Sequence, residues 1–157
     1  MRLREIRDTD LPTFFEHQLD PEANRMAAFT TKDPADREAF ERHWAKNRSN
    51  EANLMRAIVV DGHLVGYLAS FVQFVEREVT YWIGREYWGR GLATRALDAF
   101  LKLVTERPVY GRAAADNPAS IRVLEKCGFR IVVQERGFAN ARGEEIDEVV
   151  LRLDAKD

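Results

Sequence analysis

A single cysteine, Cys127, stands among the 157 residues. No internal disulfide can staple the chain, and a reducing cytoplasm is the default compartment. No apolar run approaches the roughly 20 residues that crossing a bilayer requires, and the opening MRLREIRDTD lacks the apolar stretch of a secretory leader. An excess of one charge is missing too. The 24 Lys and Arg against 26 Asp and Glu leave a net charge of −2, which gives no electrostatic case for a nucleic-acid partner. The three histidines, His17, His43 and His63, are isolated and build no ligand-spaced cluster, so no metal site is expected. No linker, low-complexity tract or repeat divides the chain. What is present is an ordinary globular mix, 45% hydrophobic and 32% charged. That composition predicts one domain over 1–157, long enough to bury a core unaided.

The hydrophobic period changes along the chain. A short strand is expected over 2–7. Asp10 then reads as a helix cap with Pro12 in the first turn, and Leu11, Phe14, Phe15, Gln18 and Leu19 follow helical spacing. Asp33-Pro34 reads as a second helix start running to about Arg48, with Phe40 and Trp44 on one face; 20–32 has no clear pattern. LMRAIVV (54–60) and HLVGYLASFVQF (63–74) are β-rich and separated by Asp61-Gly62, a hairpin signal, and 76–84 reads as a third antiparallel strand. Gly89 to Arg107 predicts a glycine-rich turn feeding a helix whose apolar face holds Leu92, Ala96, Leu97, Phe100, Leu103 and Val104. A strand over 108–115 and a helix opened by Asn117-Pro118 and stopped by Gly128 follow. Two strands, 129–138 and 146–153, end the series. The expected fold is α+β: a mixed, twisted sheet of six or seven strands with four helices, and a right-handed parallel crossover over 78–115.

The stretch TYWIGREYWGRGLATRAL (80–97) carries the chemistry. A strand ends, a loop with Gly89 and Gly91 turns sharply, and a helix begins, so free N–H groups and the helix dipole converge on one spot. That is an anion site suited to a pyrophosphate, with Arg85, Arg90 and Arg95 nearby. A P-loop needs Lys and Ser or Thr after its last glycine, where Leu92 and Ala93 stand. A dinucleotide fingerprint needs a third glycine, where Thr94 stands.

Two motifs here, taken together, resemble the GNAT superfamily of N-acetyltransferases. The cofactor motif Gln/Arg-x-x-Gly-x-Gly/Ala appears as Trp88-Gly89-Arg90-Gly91-Leu92-Ala93, matching at its last two anchors and departing at the first. The aromatic Tyr87-Trp88 is similar to the branch that acetylates ribosomal-protein N-termini. The second motif is Asn117-Pro118-Ala119-Ser120 followed by Leu124-Glu125-Lys126-Cys127-Gly128-Phe129, with 26 residues from Gly91 to Asn117.

The resemblance implies a GNAT-like acyl-CoA N-acyltransferase fold in which two central parallel strands splay apart and admit the pantetheine arm. Backbone groups of Trp82 and Ile83 would pair with that arm. The amides of Gly89, Arg90, Gly91, Leu92, Ala93 and Thr94 would hold the pyrophosphate, and Asn117 and Ser120 would meet the arm from the other side. It further implies that acetyl-CoA donates its acetyl group directly to a primary amine, on a protein N-terminus or a small molecule. No metal enters, and homodimers are common in similar proteins. Such an attack needs a neutral amine, an oxyanion donor near Ile83 and a base. Glu78 stands where several members carry a catalytic glutamate, and Glu76 is a second candidate. Many members place a Tyr two residues before the Lys of Lys-x-Gly-Phe; Leu124 stands there and cannot donate a proton, so that role is either unnecessary, a thiol of pKa about 8.5 being a fair leaving group, or moved to Ser120, one turn earlier, at the leaving sulfur.

Each candidate also has a plainer role. Glu78 fits a solvated strand carboxylate, Asn117 a helix cap, Ser120 a first-turn filler and Cys127 a small buried residue. Phe14, Phe15, Phe40 and Trp44 fit the core or an acceptor groove. A non-catalytic acyl-CoA-binding sensor or interaction module stands as the alternative function.

Overall fold

The computed structural model describes residues 1–156. In chain order the elements are β1 (Arg2–Arg4), α1 (Leu11–Gln18), α2 (Pro21–Ala27), α3 (Arg37–Ser49), β2 (Leu54–Val60), β3 (His63–Gln73) and β4 (Glu76–Ile83). After these come α4 (Leu92–Phe100), β5 (Val109–Ala114), α5 (Pro118–Lys126), β6 (Arg130–Ala139) and β7 (Glu144–Leu153). Among the described residues no helix is long and apolar enough to cross a membrane.

The architecture is the expected mixed α+β, with one more helix than the pattern predicts. The addition is α2, whose start has the same Asp-Pro grammar as other helices. Asp20 accepts from the Ala23 N–H at 2.9 Å, and Pro21 occupies the first turn. Asp33-Pro34, by contrast, makes only a turn. The cap of α3 is Asp36, accepting from the Ala39 N–H at 3.0 Å. Asp10 precedes α1 without capping it, because its carboxylate is taken by Arg4 and by the Arg7 N–H. Helix α4 ends at Phe100 rather than near Arg107, leaving Leu103 48% exposed beyond the apolar face.

The seven strands lie in the order β1-β2-β3-β4-β5-β7-β6. Every neighbouring pair is antiparallel except β4 and β5, which are parallel, as a helical crossover between them requires. Their pairing covers only Arg77↔Val109 and Glu78↔Tyr110, and from Val79 onward the two strands part. This split in mid-sheet positions the site.

Alternation along the strands gives the sheet two faces. Val79 and Ile83 of β4 pack with α4 and α5 residues, Leu92, Ala96, Leu97, Phe100 and Leu124, in the main core. A second cluster joins Phe14 and Phe15 of α1 and Phe40 and Trp44 of α3 to Ala57 and Tyr67 of the sheet. The chain therefore crosses its own split with α4 and α5 on one side and α1 to α3 on the other.

Candidate active site

Where β4 and β5 part, a cavity of about 1340 Å³ opens. It exceeds the roughly 300–1,000 Å³ of a typical ligand pocket, which leaves room for a long cofactor and an acceptor together.

One end is the start of α4. Gly91 is its N-cap with φ +72°, Gly89 has φ +78°, and no side chain caps the first turn. Side chains with a Cβ rarely adopt such angles. A Cβ on either glycine would meet nothing within 4 Å. The glycines are therefore needed for the turn itself, and the space above them lies open. Gly89, Gly91, Leu92, Ala93 and Thr94 all line the cavity. Leu92 directs its side chain into the core and can offer only its backbone. This open cradle of uncapped N–H groups fits a pyrophosphate. Arg90 is exposed, bonds the Glu86 carbonyl at 3.4 Å and lies 5.7 Å from the Tyr87 ring centroid, outside the cavity wall. Besides Arg112, whose guanidinium is held by carboxylates, the cations on the wall are Arg122 and Lys126 of α5, four apart on one helix face. That spacing was readable in the sequence.

Ile83 and Trp82 line the cavity at the end of β4. The Ile83 carbonyl is already taken, accepting the Trp88 indole N–H at 2.9 Å. Trp88 thus pins the glycine loop to the strand. In the sequence its only signal was its place beside Tyr87 ahead of Gly-x-Gly. Trp82 pairs across to Tyr67 and shares its face, and its indole nitrogen is buried without a protein partner.

Asn117 is both a cap and a tether. Its Oδ1 accepts from the Ser120 N–H at 3.2 Å, and its Nδ2 donates to the Met26 carbonyl at 3.1 Å. Just beyond Met26, Ala28 holds φ 63° and ψ −57° in a three-residue turn closed by Phe29 N–H to Ala27 carbonyl at 2.7 Å. That strained turn is buried against Ala114 and Ala139. It carries Phe29, Thr30 and Thr31 onto the cavity wall.

Ser120 also lines the cavity, and its hydroxyl lies 3.0 Å from that of Tyr81, another wall residue on the α4–α5 face. Burial raises the Tyr81 pKa, while the Ser120 hydrogen bond opposes the shift. Leu124 belongs to the core, with its methyls against Gly111. Cys127 is half-buried, with its thiol pushed up to about 11 by burial and by Asp98. Such a thiol is a poor nucleophile at neutral pH.

The carboxylates gather on the opposite face. Glu78 is 4% exposed and accepts from Arg112 Nε at 2.9 Å. Arg112 Nη1 also reaches Glu135 at 2.9 Å and Glu148 at 3.2 Å. Glu135 and Glu148 sit directly opposite each other in the β6–β7 ladder, an unfavourable pairing that Arg112 bridges. Arg112, Glu135 and Glu148 line the cavity, whereas Glu78 lies behind them. Burial pushes the Glu148 pKa up, Arg112 pulls it down, and Glu135 and Glu78 add to the rise; the net direction is upward. Sequence reasoning passed over Glu148 because only the strand order β5-β7-β6 brings it here. Glu76, at the first residue of β4, does not line the cavity. Among the described residues no group of three or more His, Cys, Asp or Glu side chains could hold a metal. Phe14, Phe40, Trp44 and Tyr67 complete the wall beneath α1 and α3, with Trp44 and Tyr67 ring centroids 4.8 Å apart and the Tyr67 phenol pushed up to about 12 by burial.

Comparison with known proteins agrees with this fold. No curated protein sequence gives a significant match. Solved structures do. A putative phosphinothricin N-acetyltransferase superposes with TM-score 0.84 at 19% identity, covering 99% of each chain. Spermidine N-acetyltransferase from Vibrio cholerae, in complex with CoA and spermine, gives TM-score 0.82 at 17% identity over 97% of this chain and 94% of the other. Ribosomal-protein-alanine N-acetyltransferase from Brucella melitensis gives 0.83 at 18% over 99% and 100%. The profile of the acetyltransferase (GNAT) domain matches residues 1–130. The chain belongs to the GNAT acetyltransferase family, whose acetyl donor is acetyl-CoA.

Proposed function

We propose that the chain, as one N-acetyltransferase domain, transfers the acetyl group of acetyl-CoA directly to a primary amine and releases CoA. The observation that carries this reading is the cavity itself, which runs through the split sheet from the anion cradle at Gly89–Thr94 to the carboxylates around Arg112. A binding module would need the cradle alone.

The amides of Gly89 to Thr94 would hold the pyrophosphate, and Trp82, Ile83, Asn117 and Ser120 would flank the arm. A backbone N–H beside Ile83 would stabilise the developing oxyanion. The amine enters from the α1–α3 face, where Glu148 takes its proton, directly or through water. Glu78 serves this base from behind by holding Arg112. A carboxyl with a raised pKa is better matched to an α-amine, pKa about 7.7–8.0, than to a lysine, about 10.4. An acyl-enzyme is unnecessary, and the half-buried Cys127 thiol is unsuited to form one.

Thiol release from acetyl-CoA, measured against a panel of peptide N-termini, polyamines and amino acids, tests the reading. Turnover on at least one class is expected, with Gly91→Val folded but unable to bind CoA by calorimetry. CoA binding without turnover on any amine would leave the binding-module function in its place.

A further inference from the structure

The leaving sulfur needs a partner, and the residue that similar proteins use for it is replaced by Leu124, buried against Gly111. The only hydroxyl–hydroxyl hydrogen bond between side chains among the described residues joins Tyr81 of β4 to Ser120 of α5, 3.0 Å apart on the α4–α5 face of the split. We propose that Tyr81 is a positioning residue that turns the Ser120 hydroxyl toward the sulfur, so that the two act as one donor unit for the departing thiolate. This inference rests on the acyl-transfer reading above.

The direction of the pair follows from acidity. A phenol, pKa near 10, is a much better donor than an aliphatic hydroxyl. Burial of Tyr81 keeps its proton in place. The Tyr81 O–H therefore donates to Ser120 Oγ. A donor that has been used as an acceptor is polarised and donates more strongly in turn. The Ser120 backbone is fixed by the Asn117 cap, so the side chain keeps only rotation about Cα–Cβ and of its O–H about Cβ–Oγ; the Tyr81 hydrogen bond limits the first and leaves the proton free to turn toward the sulfur. In the transfer step the amine nitrogen forms the new C–N bond, the C–S bond breaks, and its electron pair stays on sulfur. The proton lost by the amine goes to the carboxylate side. The thiolate leaves as an anion held by the Ser120 hydrogen bond, with no net proton taken from Tyr81.

The test needs no acceptor. CoA and desulfo-CoA, which lacks the thiol, are titrated by calorimetry from pH 7 to pH 9.5. A hydrogen bond to the thiolate lowers the bound thiol pKa from about 8.5, so the CoA to desulfo-CoA affinity ratio should rise about 5- to 10-fold across that range. Tyr81→Phe and Ser120→Ala should flatten the rise, and Tyr81→Phe should leave desulfo-CoA affinity unchanged. Ser120→Thr, which keeps the hydroxyl, should restore it, and the double variant should be no flatter than Ser120→Ala alone. A wild-type ratio that does not rise, or a full rise in Tyr81→Phe, overturns the proposal. Loss of desulfo-CoA affinity in Tyr81→Phe also overturns it, by showing that Tyr81 holds the arm rather than the sulfur. Wild-type protein that binds neither compound overturns the acyl-transfer reading itself.

Discussion

Asp10 and Glu148 are both carboxylates folded inward against an arginine, and their surroundings push them in opposite directions. Asp10 is 4% exposed and receives both Nη groups of Arg4, at 2.8 and 2.9 Å, with the Arg7 N–H at 2.8 Å. Burial pushes its pKa up, but Arg4 and Arg7 outweigh burial and hold it below the usual carboxylate range. Glu148 shares one guanidinium with Glu78 and Glu135, and there burial wins. One arginine per carboxylate makes a brace, tying β1 to the turn before α1. One arginine among three carboxylates leaves a group ready to accept a proton, on the wall of a cavity. The protein keeps the second arrangement only where chemistry is proposed.

The two carboxylates should differ most in activity. Glu148→Gln keeps size and removes basicity, so kcat at pH 7 should fall about 10²–10⁴-fold, recovering at high pH as the amine deprotonates unaided. Steady-state rates from pH 6 to 10 check it, and an undiminished rate would make Glu148 a second brace. Next comes Asp10→Ala, which should destabilise by about 3 kcal/mol, the low end for breaking a buried pair because Arg4 can reach solvent, while CoA affinity stays the same. Urea unfolding and calorimetry measure the two. Glu78→Gln should lower kcat less than Glu148→Gln, since it works through Arg112; a larger loss would return the base role to Glu78 itself.

The smallest effects are in stability against pH. A lowered carboxyl contributes stability that is present above its unfolded value, about 3.9, and lost as pH falls through its folded one. That is the Asp10 case, so Asp10→Asn should flatten the acid side of the stability curve. A raised carboxyl binds more protons when folded, so stability falls as pH rises from about 4.3 through its folded value. Glu148→Gln should therefore match or slightly exceed wild-type melting temperature at pH 7, with the difference vanishing as pH drops. A clear loss at pH 7 would mean that Arg112 needs Glu148 more than burial disfavours it.

Much of the fold was legible because its signals are local. The Asp61-Gly62 hairpin, the Gly89–Gly91 turn and the Asn117-Pro118 helix start each lie within a few residues of what they control. Helix α2 was missed although Asp20-Pro21 carries the same signal, because seven residues are too few to show a period. The start of α3 was misplaced for a related reason. Asp33 and Asp36 are both competent caps, but the Asp33 carboxylate accepts from the Ala35 N–H at 3.0 Å and its carbonyl closes a turn with the Asp36 N–H, which leaves the cap to Asp36.

The glycine turn ahead of α4 is written in adjacent letters, since two glycines before an uncapped helix start leave its N–H groups free within a few residues. Only tertiary structure decided the chemistry around it. Tyr81 and Ser120 are 39 residues apart, Asn117 and Met26 are 91 apart, and Arg112 meets Glu148 from 36 residues away. Such meetings depend on strand order and register, where one residue of slip turns every side chain to the other face. Glu78 and Glu148 look alike as letters. The β5-β7-β6 order places one behind Arg112 and the other at the cavity, and no short-range pattern records that order.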